Sequence, residues 1–256
     1  MTLKPFILTA VIAGSLTAGA QTLNNAWNSV KTNSTAIINT ATTVTSGSHT
    51  ATPSLTNDEV IKGLKEALSV GTNNSSASAS KADGYLKNAR LFIPWPAEAQ
   101  DMKARLIKLG YQKKVDEFET SLNRAAEEAA KKAAPVFVDA ITGMSVGDGF
   151  AILNGSDTAA THYLREKTFV PLKEKFMPTV KEAIAKVNVT AYWTPLVTTY
   201  NRIPGVKKQN PDLNEYVCVK AINGLMVLIA DEEAKIRKDP MARVTDLLKK
   251  VFGHKK

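Results

Sequence analysis

The chain has 256 residues, with 33 Lys and Arg against 24 Asp and Glu, a formal net charge of +9 and 44% hydrophobic residues. That composition allows one or two globular domains with a sizeable core. It excludes a collagen-like or multi-span membrane protein, and the single cysteine, Cys218, excludes a disulfide framework.

Residues 1–20 have the pattern of a secretory signal peptide. Lys4 supplies the positive start, Phe6 to Ala20 is uncharged and rich in apolar residues, and Ala18 and Ala20 give the small-x-small cleavage pattern before Gln21. The apolar stretch falls short of the ~20 residues that span a bilayer. No cysteine lies near the cut to carry a lipid. The expected product is an exported protein, periplasmic or secreted, with no lipid anchor and no transmembrane span after cleavage. Residues 21–53 are dominated by Ser, Thr and Asn, contain no acid and carry Lys31 as their one charged side chain. So few large apolar groups do not offset the entropy of ordering, so a flexible tether is expected there.

The folded part, 54–256, is expected to be one all-α domain, a helical bundle. Thr56 and Glu59 have capping-box spacing, Ile61, Leu64 and Leu68 follow with helical period, and Gly71 is the expected stop. Thr72 to Gly84 is polar and ends in a turn. Ile93-Pro94-Trp95-Pro96 must be extended, because proline restricts the residue before it. Ala99, Met102, Leu106 and Leu109 form the next apolar stripe, closed by Gly110. A longer stripe runs from Val115 through Phe118, Leu122, Ala125 and Ala129 to Ala133, interrupted at Pro135. Phe137–Met144 predicts a short helix, Gly147-Asp148-Gly149 a bend, and Leu153-Asn154-Gly155-Ser156 a helix stop followed by a start. Asp157–Lys167 is expected to be helical, and Leu172, Phe176, Val180, Ile184 and Val187 form a stripe with a kink predicted near Met177 by Pro178. Trp193–Ile203 is a shorter helix. Residues 213–238 are apolar almost all round at their centre, which predicts a central buried helix. Val244, Leu247, Leu248, Val251 and Phe252 make the last amphipathic helix. No stretch alternates with period two long enough for a sheet.

Chemical signatures are sparse. His49, His162 and His254 do not stand at any metal-ligand spacing, and no cofactor motif, phosphate-binding glycine loop or nucleophile elbow occurs. Cys218 lies in an apolar helical pattern, as a buried small hydrophobe does. Asp231-Glu232-Glu233 precede Lys235, Arg237 and Lys238, a pattern of local ion pairs at a solvated helix end. The basic doublets are scattered and lack an aromatic platform, so nucleic acid is not an expected partner. The charge suits peripheral contact with an anionic envelope surface.

The segment Ile152–Arg165 is the most unusual. A glycine turn feeds a helix start, and Asp157, Thr161 and Arg165 are spaced by four beside Ala159 and Ala160. Two readings compete: Ser156 or Asp157 caps the helix and Arg165 enters a buried ion pair, or this face lines a polar pocket. Arg124 beside an alanine stripe, with Asp139 in the next helix, allows the same two readings. The candidate polar-ligand or buried-network residues are therefore Arg124, Asp139, Asp157, Thr161 and Arg165.

Stretches 57–68, 83–86, 123–127, 137–141, 152–165, 236–240 and 245–253 together resemble the bacterial domain-of-unknown-function family 4197. The resemblance extends over nearly all of 55–253. It implies an exported bacterial protein and brings no catalytic residues with it. The leading functional expectation is a non-enzymatic exported domain that binds an anionic or polar ligand, or a partner, in the cell envelope. The alternatives are a hydrolase of envelope material, with Asp139 or Asp157 as base and His162 as its partner, and a scaffold that dimerises.

Overall fold

The computed structural model describes residues 54–210 and 212–253; the expected signal peptide and tether lie outside them. Nine α-helices and two short 3-10 turns make up the described part, with no strand among its residues. The all-α expectation is met.

The first helix, α1 (Asn57–Ala79), opens with the expected capping box. The Glu59 amide donates to Thr56 Oγ1 at 3.2 Å, and the Thr56 amide to Glu59 Oε2 at 3.1 Å. It does not stop at Gly71. The helix continues through the polar run, burying Gly71, Thr72, Ser75, Ser76 and Ala79. A Cβ on Gly71 would lie 3.2 Å from the Glu232 Cβ, so the glycine marks a close crossing with the central helix and not a terminator. Small residues that look like loop in sequence are small here because a helix passes over them.

A 3-10 turn (Ala97–Ala99) leads into α2 (Gln100–Lys108) and then α3 (Gln112–Ala130). The long alanine-rich stripe breaks at Lys131-Lys132, and α4 (Ala133–Gly143) begins before Pro135. Proline then sits in the first turn, where the missing N–H has no helical partner to lose. The short α5 (Gly149–Leu153) is capped by Asp148, whose Oδ1 accepts from the Ala151 amide at 2.9 Å.

Helix α6 (Ala159–Val187) runs on through both Pro171 and Pro178, the second being the residue for which a kink is expected. The two prolines are seven residues apart and both exposed. The carbonyls they leave without a helical donor therefore face the solvent side, opposite the buried stripe of Leu164, Thr168, Leu172, Phe176 and Val180. Asn188, in the left-handed region at φ 59°, turns the chain into α7 (Val189–Asn201). Helix α8 (Asn214–Lys238) is the predicted central helix and packs against α1, α3, α6 and α9 (Asp246–Gly253).

The extended segment after α1 crosses this bundle. Trp95 meets Phe118 and Trp193 edge-on at 4.8 and 5.4 Å between ring centroids, and Phe118 stacks on Trp193 at 4.5 Å. Cys218 is buried, and burial pushes its thiol up to about 11.

Candidate functional site

The polar groups of the interior are organised by two glutamates, one on α3 and one on α8. On α3, the run Asn123-Arg124-Ala125-Ala126-Glu127 grips the crossing segment. The Asn123 side chain accepts from the Ile93 amide at 2.8 Å and donates to the Ile93 carbonyl at 3.0 Å, so its amide group acts as one rung of a ladder. One turn further, Glu127 Oε1 accepts from the amides of Tyr85 and Leu86, both at 3.1 Å. Arg124 braces Glu127 at 2.6 Å and Asp83 at 2.8 Å. Lys87 and then Arg124 hold the Asp83 carboxyl below its ordinary range. The clamp delivers Tyr85 into the core, where its hydroxyl donates to the Ala221 carbonyl at 2.7 Å. Burial raises that phenol well above its ordinary range. Gly224 makes the space, since a Cβ there would stand 2.7 Å from the tyrosine ring.

On α8, Glu233 closes the N-terminus of α6. Its oxygens accept from the Ala160 amide at 3.0 Å, the Thr161 amide at 2.7 Å and Thr161 Oγ1 at 2.7 Å. The first amides of a helix lack internal partners and carry partial positive charge, so a carboxylate is well matched to them. Arg237 donates to Glu233 from Nε at 2.9 Å and reaches the carbonyls of Leu153 and Ile152 at 2.6 and 3.1 Å. Its guanidinium lies over Phe252. Arg243 in turn donates to the Ile236 and Arg237 carbonyls, both at 2.9 Å. The end of α5, the start of α6 and the end of α8 are thereby tied at one point.

The five sequence candidates are dispersed. Thr161 belongs to the Glu233 cluster. Arg124 belongs to the Glu127 clamp and pairs with Asp83, not with Asp139, so the expected tie between those two is corrected. Asp157 lies in the turn before α6, half-exposed, and pairs with Lys238 at 2.5 Å. The cap expected from Ser156 or Asp157 is supplied from another helix, because Thr158 holds the cap position without a side-chain bond and Glu233 takes the amides. Arg165 is exposed over the Phe169 ring at 5.0 Å, in place of the expected buried ion pair. Asp139 is exposed on α4. The acid–base set of the hydrolase alternative is not assembled either: Asp139 and His162 line different clefts, and Asp157 is engaged by Lys238.

Sequence reasoning placed Glu233 at a solvated helix end. Asp231 does lie on the outer side, bonded to Arg90, while Glu232 stands at the crossing with α1, bonded to Asn74. Glu233 continues the buried run Met226, Ile229, Ile236 at helical spacing, and that register was the signal for it.

One of several surface clefts lies between α4 and α6, beside the 143–147 loop. It has a volume of about 500 Å³. Ala140, Met144, Pro171 and Leu172 give it an apolar lining; Lys167, Lys175 and Asp139 stand around it. Lys167 pairs only loosely with its neighbour Glu166, at 3.6 Å, and Lys175 has no ion pair among the described residues. Tyr163 at the wall donates to the Ser145 carbonyl at 2.9 Å and so fixes the loop. Among the described residues no group of three metal-ligating side chains comes together.

A family model described as a protein of unknown function, DUF4197, matches residues 54–253. No curated protein and no solved structure matches the chain.

Proposed function

This chain belongs to DUF4197, a family of proteins of unknown function, and we propose that it is a non-catalytic exported domain that binds a small anionic ligand. The ligand would lie in the cleft between α4 and α6, its charged head near Lys167 and Lys175 and its apolar body on Ala140, Met144 and Leu172. Such a mixed site is the ordinary chemistry of a small-molecule pocket, an apolar lining with a few orienting charges. The observation that carries the reading is the placement of two lysines without strong carboxylate partners, Lys167 and Lys175, at the rim of one apolar-lined cleft. Export to the periplasm or beyond belongs to the same proposal and rests on the pattern of residues 1–20. No described helix is long and apolar enough to cross a membrane.

The test uses 8-anilinonaphthalene-1-sulfonate, an anion with an apolar ring system. Its fluorescence should rise on the wild-type protein and return to background in the Lys167→Glu/Lys175→Glu variant, with the melting temperature unchanged. Equal fluorescence in both proteins, or loss on Arg165→Ala instead, would sink the assignment to this cleft. Native mass spectrometry of protein taken from its own host should show a bound acid that the double variant lacks.

A further inference from the structure

The turn between α2 and α3 leaves unexplained an apolar side chain that the sequence pattern assigns to the core. Ala99, Met102 and Leu106 of that stripe are buried, but Leu109 is 57% exposed, and Ile107, two positions earlier, is exposed too. The turn is not a loose loop. Gly110 has φ +84°, its amide donates to the Ile107 carbonyl at 3.0 Å, and the Tyr111 amide donates to the Leu106 carbonyl at 3.0 Å. These two bonds are those of a glycine helix stop, which fixes the chain direction and holds Leu109 outward. Exposed Tyr192 of α7 shares a groove with Gly110 and adds an aromatic ring to the same end of the bundle.

The charge at this tip is predominantly basic, with Asp101, Asp116 and Glu117 just outside it. From residue 103 to 115 the chain carries Lys103, Arg105, Lys108, Lys113 and Lys114 and no acid. Lys103 is taken by Glu119 at 2.8 Å, and Lys113 reaches Glu117 only at 3.9 Å. Arg105, Lys108 and Lys114 are exposed and have no ion pair among the described residues; Lys114 lies by the Tyr111 ring. A rigid apolar point ringed by free cations complements a surface that is anionic outside and apolar just beneath. That is the make-up of a bilayer leaflet with acidic headgroups, where basic residues meet phosphates and short apolar or aromatic side chains enter the acyl boundary.

We propose that the α2–α3 tip, with Ile107 and Leu109 as the inserting residues and Arg105, Lys108 and Lys114 as the headgroup contacts, docks the domain peripherally on an anionic lipid surface. This is independent of the cleft between α4 and α6, which lies on other helices.

The test reads the tip itself in the full chain. Cys218 is buried, so a Leu109→Cys variant takes an environment-sensitive NBD label at one exposed position. Vesicles of phosphatidylcholine with about one-third phosphatidylglycerol should blue-shift the label and raise its emission several-fold, as expected for insertion below acidic headgroups. Pure phosphatidylcholine should not, and a label at Val170→Cys, exposed on α6, should stay unchanged with either vesicle. Adding Arg105→Glu/Lys108→Glu/Lys114→Glu should lower the apparent affinity by at least about 100-fold, since each basic residue near the surface is worth about fivefold and reversal adds repulsion. Lys207→Glu/Lys208→Glu, a basic doublet elsewhere, should leave it as it was. A response at position 170 equal to that at 109, or an equal loss from the 207/208 reversal, would overturn the proposal. So would a blue shift at 109 with soluble polyglutamate and none with the vesicles, which would assign the tip to an acidic polypeptide.

Discussion

Helices α3 and α8 use the same device in two settings. Each places a glutamate against two consecutive backbone amides of another segment and braces it with an arginine one turn away: Glu127 with Arg124, and Glu233 with Arg237. They differ in how far the arginine is closed in. The Arg237 side chain is 8% exposed and Glu233 1%, whereas Arg124 is 36% exposed and edges an open groove. At Glu233 the arginine also satisfies two carbonyls and covers Phe252; at Glu127 it turns outward to a partly exposed Asp83. The same pairing therefore serves as a sealed joint between three helices in one place and as a clasp on a crossing strand of chain in the other.

The largest effect should come from opening the sealed joint. Glu233→Ala strands two amides, one hydroxyl and a buried guanidinium. A broken buried pair of this kind costs about 3–5 kcal/mol, which is roughly 10 °C in melting temperature for a domain of this size. Arg237→Ala should cost nearly as much, with Glu233 then left uncompensated. Urea unfolding of the two single variants and the double variant checks this, and a double-variant loss close to either single one would mark them as one unit. Losses under about 1 kcal/mol would mean that water replaces the partner, and the sealed description would fail.

Opening the clasp should cost less. Glu127→Ala leaves the Tyr85 and Leu86 amides without their acceptor, worth about 1–3 kcal/mol. Arg124→Ala should fall near 1 kcal/mol or below, because solvent reaches its guanidinium. Gly224→Ala tests the same clasp from the opposite side. Its Cβ would press on a tyrosine ring that is tied down by the Ala221 carbonyl, and overpacking of this kind costs about 1–3 kcal/mol. If Arg124→Ala and Arg237→Ala unfold at the same urea concentration, burial is not what separates the two devices.

The helices were legible in the sequence because their apolar stripes are long and the buried stretch of α8 is apolar all round. Their ends were less so. Gly71 carried the same local signal as a terminator, and only the presence of Glu232 across the crossing shows why a glycine is needed inside α1. Pro178 carries the signal of a kink, and the helix continues past it because it stands on the outer face of α6, where a missing amide is harmless. For the polar groups, the stretches 123–127 and 152–165 stand out in the sequence, yet their meaning depends on residues far along the chain. Asn123 is explained by Ile93, Arg124 by Asp83, and Thr161 by Glu233, which is 72 positions away. Spacing of four along one helix proposes a shared face. It says nothing of which helix supplies the other half of the pair.

The smallest expected effects bear on that last point most directly. Asp157 and Arg165 were the strongest candidates by spacing, and the structure leaves both at the surface, one with Lys238 and one over Phe169. Exposed pairs of this kind are worth about 0–1 kcal/mol, so Asp157→Ala and Arg165→Ala should each shift stability by less than about 0.5 kcal/mol. Neither should alter anilinonaphthalenesulfonate fluorescence, because neither lines the cleft between α4 and α6. A large stability loss from either would show that a surface residue supports the Glu233 joint through the turn before α6. Loss of fluorescence with stability intact would move the binding site from the α4–α6 cleft to the start of α6, and the lysine pair would then be an ordinary solvated edge.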